Sequence, residues 1–135
     1  MATRDIQILQ PPGWPKPKGY ANGIAARGRL VFIAGMVGWN REGVFESDEF
    51  VAQAYQALKN VLETLAEAGG RPEHLVRLTW FVTSKAEYLA SLEALGEAYR
   101  ALMGRHYPAM TVVEVKALLE DRAKVEIEAT AVIPE

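Results

Sequence analysis

The sequence predicts an α+β fold in which two helices lie on one side of a single β-sheet. Two stretches, from Phe50 to Leu65 and from Leu89 to Met103, repeat apolar residues at helical spacing. Runs rich in Val, Ile, Leu, Thr and aromatic residues precede, separate and follow them. Glycine and proline clusters mark the joints. The order is therefore strands, helix, strand, helix, strands. Each helix has one apolar face, so both are expected to pack on the same side of the sheet.

Ile6 to Leu9 alternates apolar and polar residues and reads as a strand. Pro11, Pro12, Pro15 and Pro17 then exclude a helix or a central strand, leaving an extended loop. Trp14 within that loop is either a packing anchor or part of a pocket wall. Tyr20 to Ala26 and Leu30 to Ala34 are strand candidates, with Arg27-Gly28-Arg29 as a tight hairpin turn between them. Gly35 and Gly38 interrupt the pattern, as glycines do at a turn or a close backbone approach. Asn40-Arg41-Glu42-Gly43 is turn chemistry.

Ser47 is placed as the N-cap of the first helix, with Asp48 and Glu49 where the helix dipole favours acids. Phe50, Val51, Ala54, Leu58, Val61, Leu62 and Leu65 form its apolar face, and Gly69-Gly70 ends it. Leu75 to Thr83 reads as a strand. Ser84 and Glu87 fit a capping box. The second helix turns Leu89, Leu92, Leu95, Tyr99, Leu102 and Met103 inward and stops at Gly104. Met110 to Lys116 and Lys124 to Ile133 close the chain as strands. Ala129 to Ile133 is apolar on nearly every residue, so the sheet face away from the helices is expected to be covered by oligomerisation.

The 135 residues fit one domain, 1–135, with enough surface to bury a core. The formal net charge is −2 and no basic block stands out, which argues against nucleic acid as the main partner. The absence of cysteine excludes disulfides and thiol catalysis. The first residues lack an apolar signal core, and no run approaches the length of a membrane span. A soluble cytoplasmic protein is the expectation, with no membrane partner. His74 and His106 lack a partner at metal-ligand spacing, so no metal is expected. Ser47, Ser84 and Ser91 lack a nucleophile-elbow context. The glycines form no phosphate-binding or dinucleotide fingerprint, and no cofactor is implied.

Several blocks, in the same order, resemble the reactive intermediate deaminase (Rid, YjgF-like) family. They are Gln53-Ala54-Tyr55-Gln56-Ala57-Leu58-Lys59-Asn60-Val61, the Gly69-Gly70 break, Val76-Arg77-Leu78-Thr79-Trp80-Phe81-Val82, Tyr107-Pro108-Ala109 and Val125-Glu126-Ile127-Glu128-Ala129. The resemblance implies a chorismate-mutase-like fold, a mixed sheet with two helices packed on one face. It also implies a homotrimer with its sheets in a central barrel and small-molecule sites in the clefts between subunits. Active members hydrolyse imines and enamines derived from amino acids.

Carried onto this chain, the family pocket falls on Tyr20, Gly35 and Glu126. Ala34 stands where a serine is common, Gly96 where some members have an asparagine, and Val112 where a small polar or thiol residue is usual. Met110 stands where the family's carboxylate-binding arginine is expected. Met offers no donor, so the planar fork that holds a carboxylate is lost at this position. Arg105 and Arg122 are nearby cations that could replace it, although each also reads as a surface arginine. On residue type alone Met110 is core packing. Glu126 and Glu128 face one side of a strand and, without the resemblance, read as a solvated edge or an intersubunit ion pair.

The expected function is thus a trimer that binds a small, rather apolar metabolite in intersubunit clefts. Hydrolysis of an imine, enamine or amide, other than the standard 2-imino acid, would use Glu126 to place water and Tyr20 to donate a hydrogen bond. Gly35, Ala34, Met110, Val112 and Trp14 would line the ligand. A non-catalytic ligand-binding or partner-binding trimer is the alternative. An endoribonuclease or translation inhibitor fits the acidic balance least.

Overall fold

A computed structural model gives the fold, described for residues 5–135. Met1 to Arg4, part of the segment read as lacking a signal core, lie outside the described residues. The strands are β1 (Ile6–Leu9), β2 (Gly23–Ala26), β3 (Arg29–Val37), β4 (Leu75–Val82), β5 (Ala109–Glu114) and β6 (Val125–Ile133). The helices are α1 (Phe50–Ala66), α2 (Lys85–Ala90) and α3 (Leu92–Met103), and a single 3₁₀ turn spans Pro72–His74.

The main sheet has the order β3-β6-β4-β5. Its β4–β5 pair is parallel, while β6 runs antiparallel to both β3 and β4, so the sheet is mixed as the resemblance implied. The order follows from chain path. The parallel β4–β5 pair needs a crossover, which α2 and α3 supply. Leu78, Trp80 and Val82 of β4 meet Val125, Ile127, Ala129 and Ala131 of β6 in one core with Ala54, Leu58, Val61 and Leu65 of α1. Leu58, Leu65, Leu78 and Ile127 are fully buried, each contributing about 1.5–3 kcal/mol of hydrophobic stabilisation.

Several local expectations are corrected. β1 and β2 form a separate two-stranded ribbon, so the strands do not all share one sheet. Arg27-Gly28-Arg29 is accordingly no hairpin turn: β2 pairs with β1, whereas β3 pairs with β6. Gly28 is needed because a Cβ there would strike the Ile133 carbonyl. Tyr20 precedes β2 instead of joining it, and only Ala21 bridges to Ala109. β3 does not stop at Ala34 but continues through Gly35 to Val37.

The N-cap of α1 is Glu49, not Ser47. Ser47 instead accepts from the Glu49 amide at 3.0 Å, and its carbonyl accepts from Gln53. Asp48 pairs with Arg122. Gly69, at φ 79°, turns the chain out of α1, and the Gly70 amide returns to the Leu65 carbonyl at 3.1 Å.

Ser84 caps α2 by accepting from Glu87 N at 3.0 Å. The second helical stretch is broken at Ser91, where the hydroxyl donates back to the Glu87 carbonyl and competes with the helix ladder. Leu89 and Leu92, on either side of the break, are both about half exposed, while Leu95, Tyr99 and Met103 stay buried. No helix among the described residues is long and apolar enough to cross a membrane.

Candidate functional site

The residues expected to share one pocket are divided between the two faces of the main sheet. Met110 pairs in register with Leu78, and Val112 with Trp80, so both point toward the helix layer. They pack against the main core. Glu126 pairs with Phe81 and Val37 on the opposite face. Alternation along β5 and β6 therefore separates them.

On the helix side, Met110 lines a cavity of about 280 Å³ between β4, β5 and α3. Trp80 and Leu95 contribute its apolar wall, and Tyr99 and Tyr107 close one end. Those two rings stack with centroids 5.3 Å apart and planes 9° from parallel. Tyr99 is fixed because its hydroxyl donates to the His106 carbonyl at 2.6 Å. Burial, aided by neighbouring Tyr107, pushes the Tyr99 phenol well above the usual tyrosine range. Burial also raises Tyr88, another cavity residue. Both phenols consequently stay neutral hydrogen-bonding groups at physiological pH.

Lys18 and Arg100 also line this cavity. Sequence reasoning missed both. The available signal for Arg100 was its place one helical turn after Gly96, on the same face. Arg105 is exposed and does not line the cavity. Arg122 is committed elsewhere: it holds Asp48 through two contacts of 2.9 and 3.0 Å, donates to the Phe45 carbonyl, and lies over the Phe45 ring. Neither of the two anticipated replacements therefore reaches Met110.

On the other face, β3 carries a bulge. Ile33 is opposite Ala129 and Met36 opposite Ile127, so Ala34 and Gly35 together face Glu128. Both bulge residues are exposed. The Glu126 carboxylate lies directly over Gly35: a Cβ there would collide with Oε2 and stand 2.8 Å from Cδ. The glycine creates the seat for the acid. The sequence marked Gly35 as a turn or a close backbone approach; β3 runs on through it without a turn, and the group that approaches is the Glu126 side chain. Around this seat the face is uncovered, with Phe32 75% and Leu30 59% exposed.

Tyr20 and Trp14 belong to the loop between β1 and β2. Gln10 holds that loop by donating to the Trp14 and Pro15 carbonyls and accepting from Asn22, and the Ala21 amide anchors it to Pro108. Tyr20 is exposed and adjoins the cavity residues Lys18 and Gly19 without lining the cavity itself. Trp14 is also exposed, so within one chain it anchors no core and forms no wall of this cavity. Both histidines serve the backbone: His74 Nδ1 accepts from the Arg71 amide, and His106 Nε2 lies 2.7 Å from the Leu75 carbonyl.

Comparison with known proteins matches this architecture to one family. The family model described as Endoribonuclease L-PSP matches residues 15–133. A RutC family protein of Aquifex aeolicus (strain VF5) is 33% identical over 128 residues, covering 94% of this chain and 99% of that protein. The crystal structure of YyfB, a Rid-family protein from Yersinia pestis, aligns with a TM-score of 0.83 at 30% identity, covering 96% of this chain and 99% of that one. The YjgF gene product of E. coli aligns with a TM-score of 0.68 at 32% identity, covering 84% of this chain and 87% of that one. The extent of these matches, together with the mixed sheet and its helix layer, means that the chain belongs to the Rid (YjgF) family.

Proposed function

We propose that this chain forms a homotrimer that binds a small metabolite in clefts between subunits and hydrolyses a C=N bond there. The observation that carries the reading is the division of the site between opposite sheet faces. A cavity closed on one side by Met110 and a carboxylate seated over Gly35 cannot act on one small ligand within a single chain. A second copy, laid against the uncovered face bearing Leu30 and Phe32, would bring its own Glu126 toward the ligand and bury those side chains.

In that cleft, Glu126 would take a proton from a water molecule as its oxygen adds to the imine carbon. Glu126 would return that proton to the nitrogen to complete the carbinolamine; the nitrogen then takes the second water proton, given up by the carbinolamine hydroxyl, as the C–N bond breaks, expelling ammonia and leaving the carbonyl. Tyr20, on the anchored loop beside the cavity, would donate a hydrogen bond to the ligand. Met110 leaves the cavity without a strand-borne cation, which disfavours the smallest imino acids and favours ligands with an apolar body. Val112 and Ala34 alter the two halves in the same apolar direction.

The test is hydrolysis of imines generated in solution from alanine and from phenylalanine. The larger imine is expected to be lost faster with the protein than without it, and Glu126→Ala should remove most of that increment. Preferential turnover of the alanine-derived imine would contradict the role given to Met110. Unchanged turnover in Glu126→Ala would remove Glu126 from the chemistry.

A further inference from the structure

The sheet face turned away from the helices carries two opposite charges that stand close and stay unpaired within one chain. Pairing register sets Phe32, Thr130 and Arg77 in one row across β3, β6 and β4, and Glu128 with Thr79 in the next row. Partners in register share a face, and so do residues two apart along a strand. Arg77, Glu128 and Phe32 therefore project from the same side, where they line a hollow of about 200 Å³. Arg77 and Glu128 are both exposed, and none of the four ion pairs among the described residues includes either.

The other charges of the main sheet are already placed. Its strands hold two basic residues, Arg29 and Arg77, and Arg29 donates to the Ala68 carbonyl just beyond α1, in the helix layer. Its acids are Glu114, Glu126 and Glu128. Glu114 accepts from the Lys85 amide at 2.6 Å, and Glu126 is seated over Gly35. Arg77 and Glu128 are left as one cation and one acid beside the exposed Phe32 and Leu30. Covering those apolar side chains buries the two charges as well, and a charge buried without a partner is costly. A cyclic assembly meets both needs: each interface sets one patch against a different patch of the next copy, and every chain uses both patches once.

We infer that Arg77 of each chain pairs with Glu128 of the partner subunit, so that three identical ion pairs set how the sheet faces dock. Apolar contact through Phe32 and Leu30 drives the faces together without fixing their register, and the charge pair fixes it. This rests on the homotrimer of the proposed function, and it names the contact that aligns the neighbouring chains.

The experiment follows assembly of the full chain by sedimentation over a range of concentrations, with circular dichroism to confirm folding. Arg77→Glu and Glu128→Arg each set like charges together at every seam, and each should raise the concentration at half-assembly about tenfold or more. The double variant Arg77→Glu/Glu128→Arg reverses every pair and should return that concentration to within about threefold of the parent. Mixing the two single variants separates a pair between chains from one within a chain. A mixed trimer keeps one like-charge seam and gains two complementary ones, so the mixture should assemble at a lower concentration than either variant alone. Chains whose clash is internal gain nothing by mixing. If a reversal does not fold, Arg77→Gln and Glu128→Gln take its place, and their double variant should assemble better than the two single losses together imply. A trimeric parent whose single variants assemble as it does, or a double variant or mixture that regains nothing, overturns the pair and leaves the trimer standing. A parent that stays a single chain at every concentration overturns the pair and the trimer together.

Discussion

Alanine placed at Gly35 and at Gly38 should destabilise to different extents, although both glycines lie within a few residues on or beside β3. At Gly35 the new Cβ meets the end of the Glu126 side chain, with Cδ at 2.8 Å. Ordinary contact begins at 3.4 Å, so the carboxyl carbon must retreat by about 0.6 Å and Oε2, which is nearer still, by more. A side-chain rotation achieves that for about 0.5–1.5 kcal/mol, partly offset by the lower chain entropy of alanine in the unfolded state. At Gly38 the Cβ meets the backbone of α1, with Gln53 Cα at 2.7 Å and its carbonyl carbon at 2.9 Å. A helix packed on the sheet cannot rotate away, so overpacking of about 1–3 kcal/mol or more is expected. Urea denaturation at one fixed chain concentration measures both. Gly35→Ala should stay within about 1 kcal/mol of the parent, while Gly38→Ala should fall by about 2 kcal/mol or more. Gly35→Ala should nevertheless lose turnover nearly as fully as Glu126→Ala, because the acid has left its seat. Equal destabilisation by the two alanines would show that Glu126 is clamped, and would refute the idea of a seat that positions a movable acid.

Gln53 is 1% exposed and ties three segments, donating to the Ser47 and Arg122 carbonyls and accepting from the Lys124 amide. Gln53→Leu should cost about 2–4 kcal/mol in the denaturation midpoint, because buried backbone groups lose their partners. Phe32→Glu places a charge on the uncovered sheet face, where the side chain is 75% exposed in one chain. It should reduce the assembly to single folded chains, visible as a lower sedimentation mass with unchanged circular dichroism. The Tyr99 and Tyr88 phenols are raised by burial, so the folded state holds their protons where the unfolded chain releases them, from about pH 10 upward. Stability should therefore be constant below that range and fall as pH rises through it, with tyrosinate absorbance appearing late.

Much of the fold was legible because period and punctuation agreed. Phe50 to Leu65 has one apolar stripe and a glycine stop, and α1 ends as Gly69-Gly70 indicates. The errors lie where tertiary contacts outweigh local preference. Ser47 has good capping chemistry, but Gln53 takes its carbonyl and the helix begins after Glu49. Arg27-Gly28-Arg29 has hairpin chemistry, but β6 provides β3 with a longer partner than β2 could.

The site was legible in part. Gly35 and Glu126 were named, and they touch. Their separation from Met110 followed from strand alternation, which the sequence contains, but which face each strand presents depends on pairing. Arg100 and Trp80 were not found. Arg100 reads as a solvated helix residue, and it is exposed while also lining the cavity; Trp80 reads as core, and it is buried in the core while also lining the cavity. Arg122, a candidate by proximity in sequence, is held away by Asp48 and the Phe45 carbonyl.

The mass of the intact assembly in solution tests the central claim, that the halves of this site meet only between chains. Native mass spectrometry should give three times the 14.9 kDa chain mass. A stable monomer at the same concentration, still able to turn over the phenylalanine-derived imine, would contradict it.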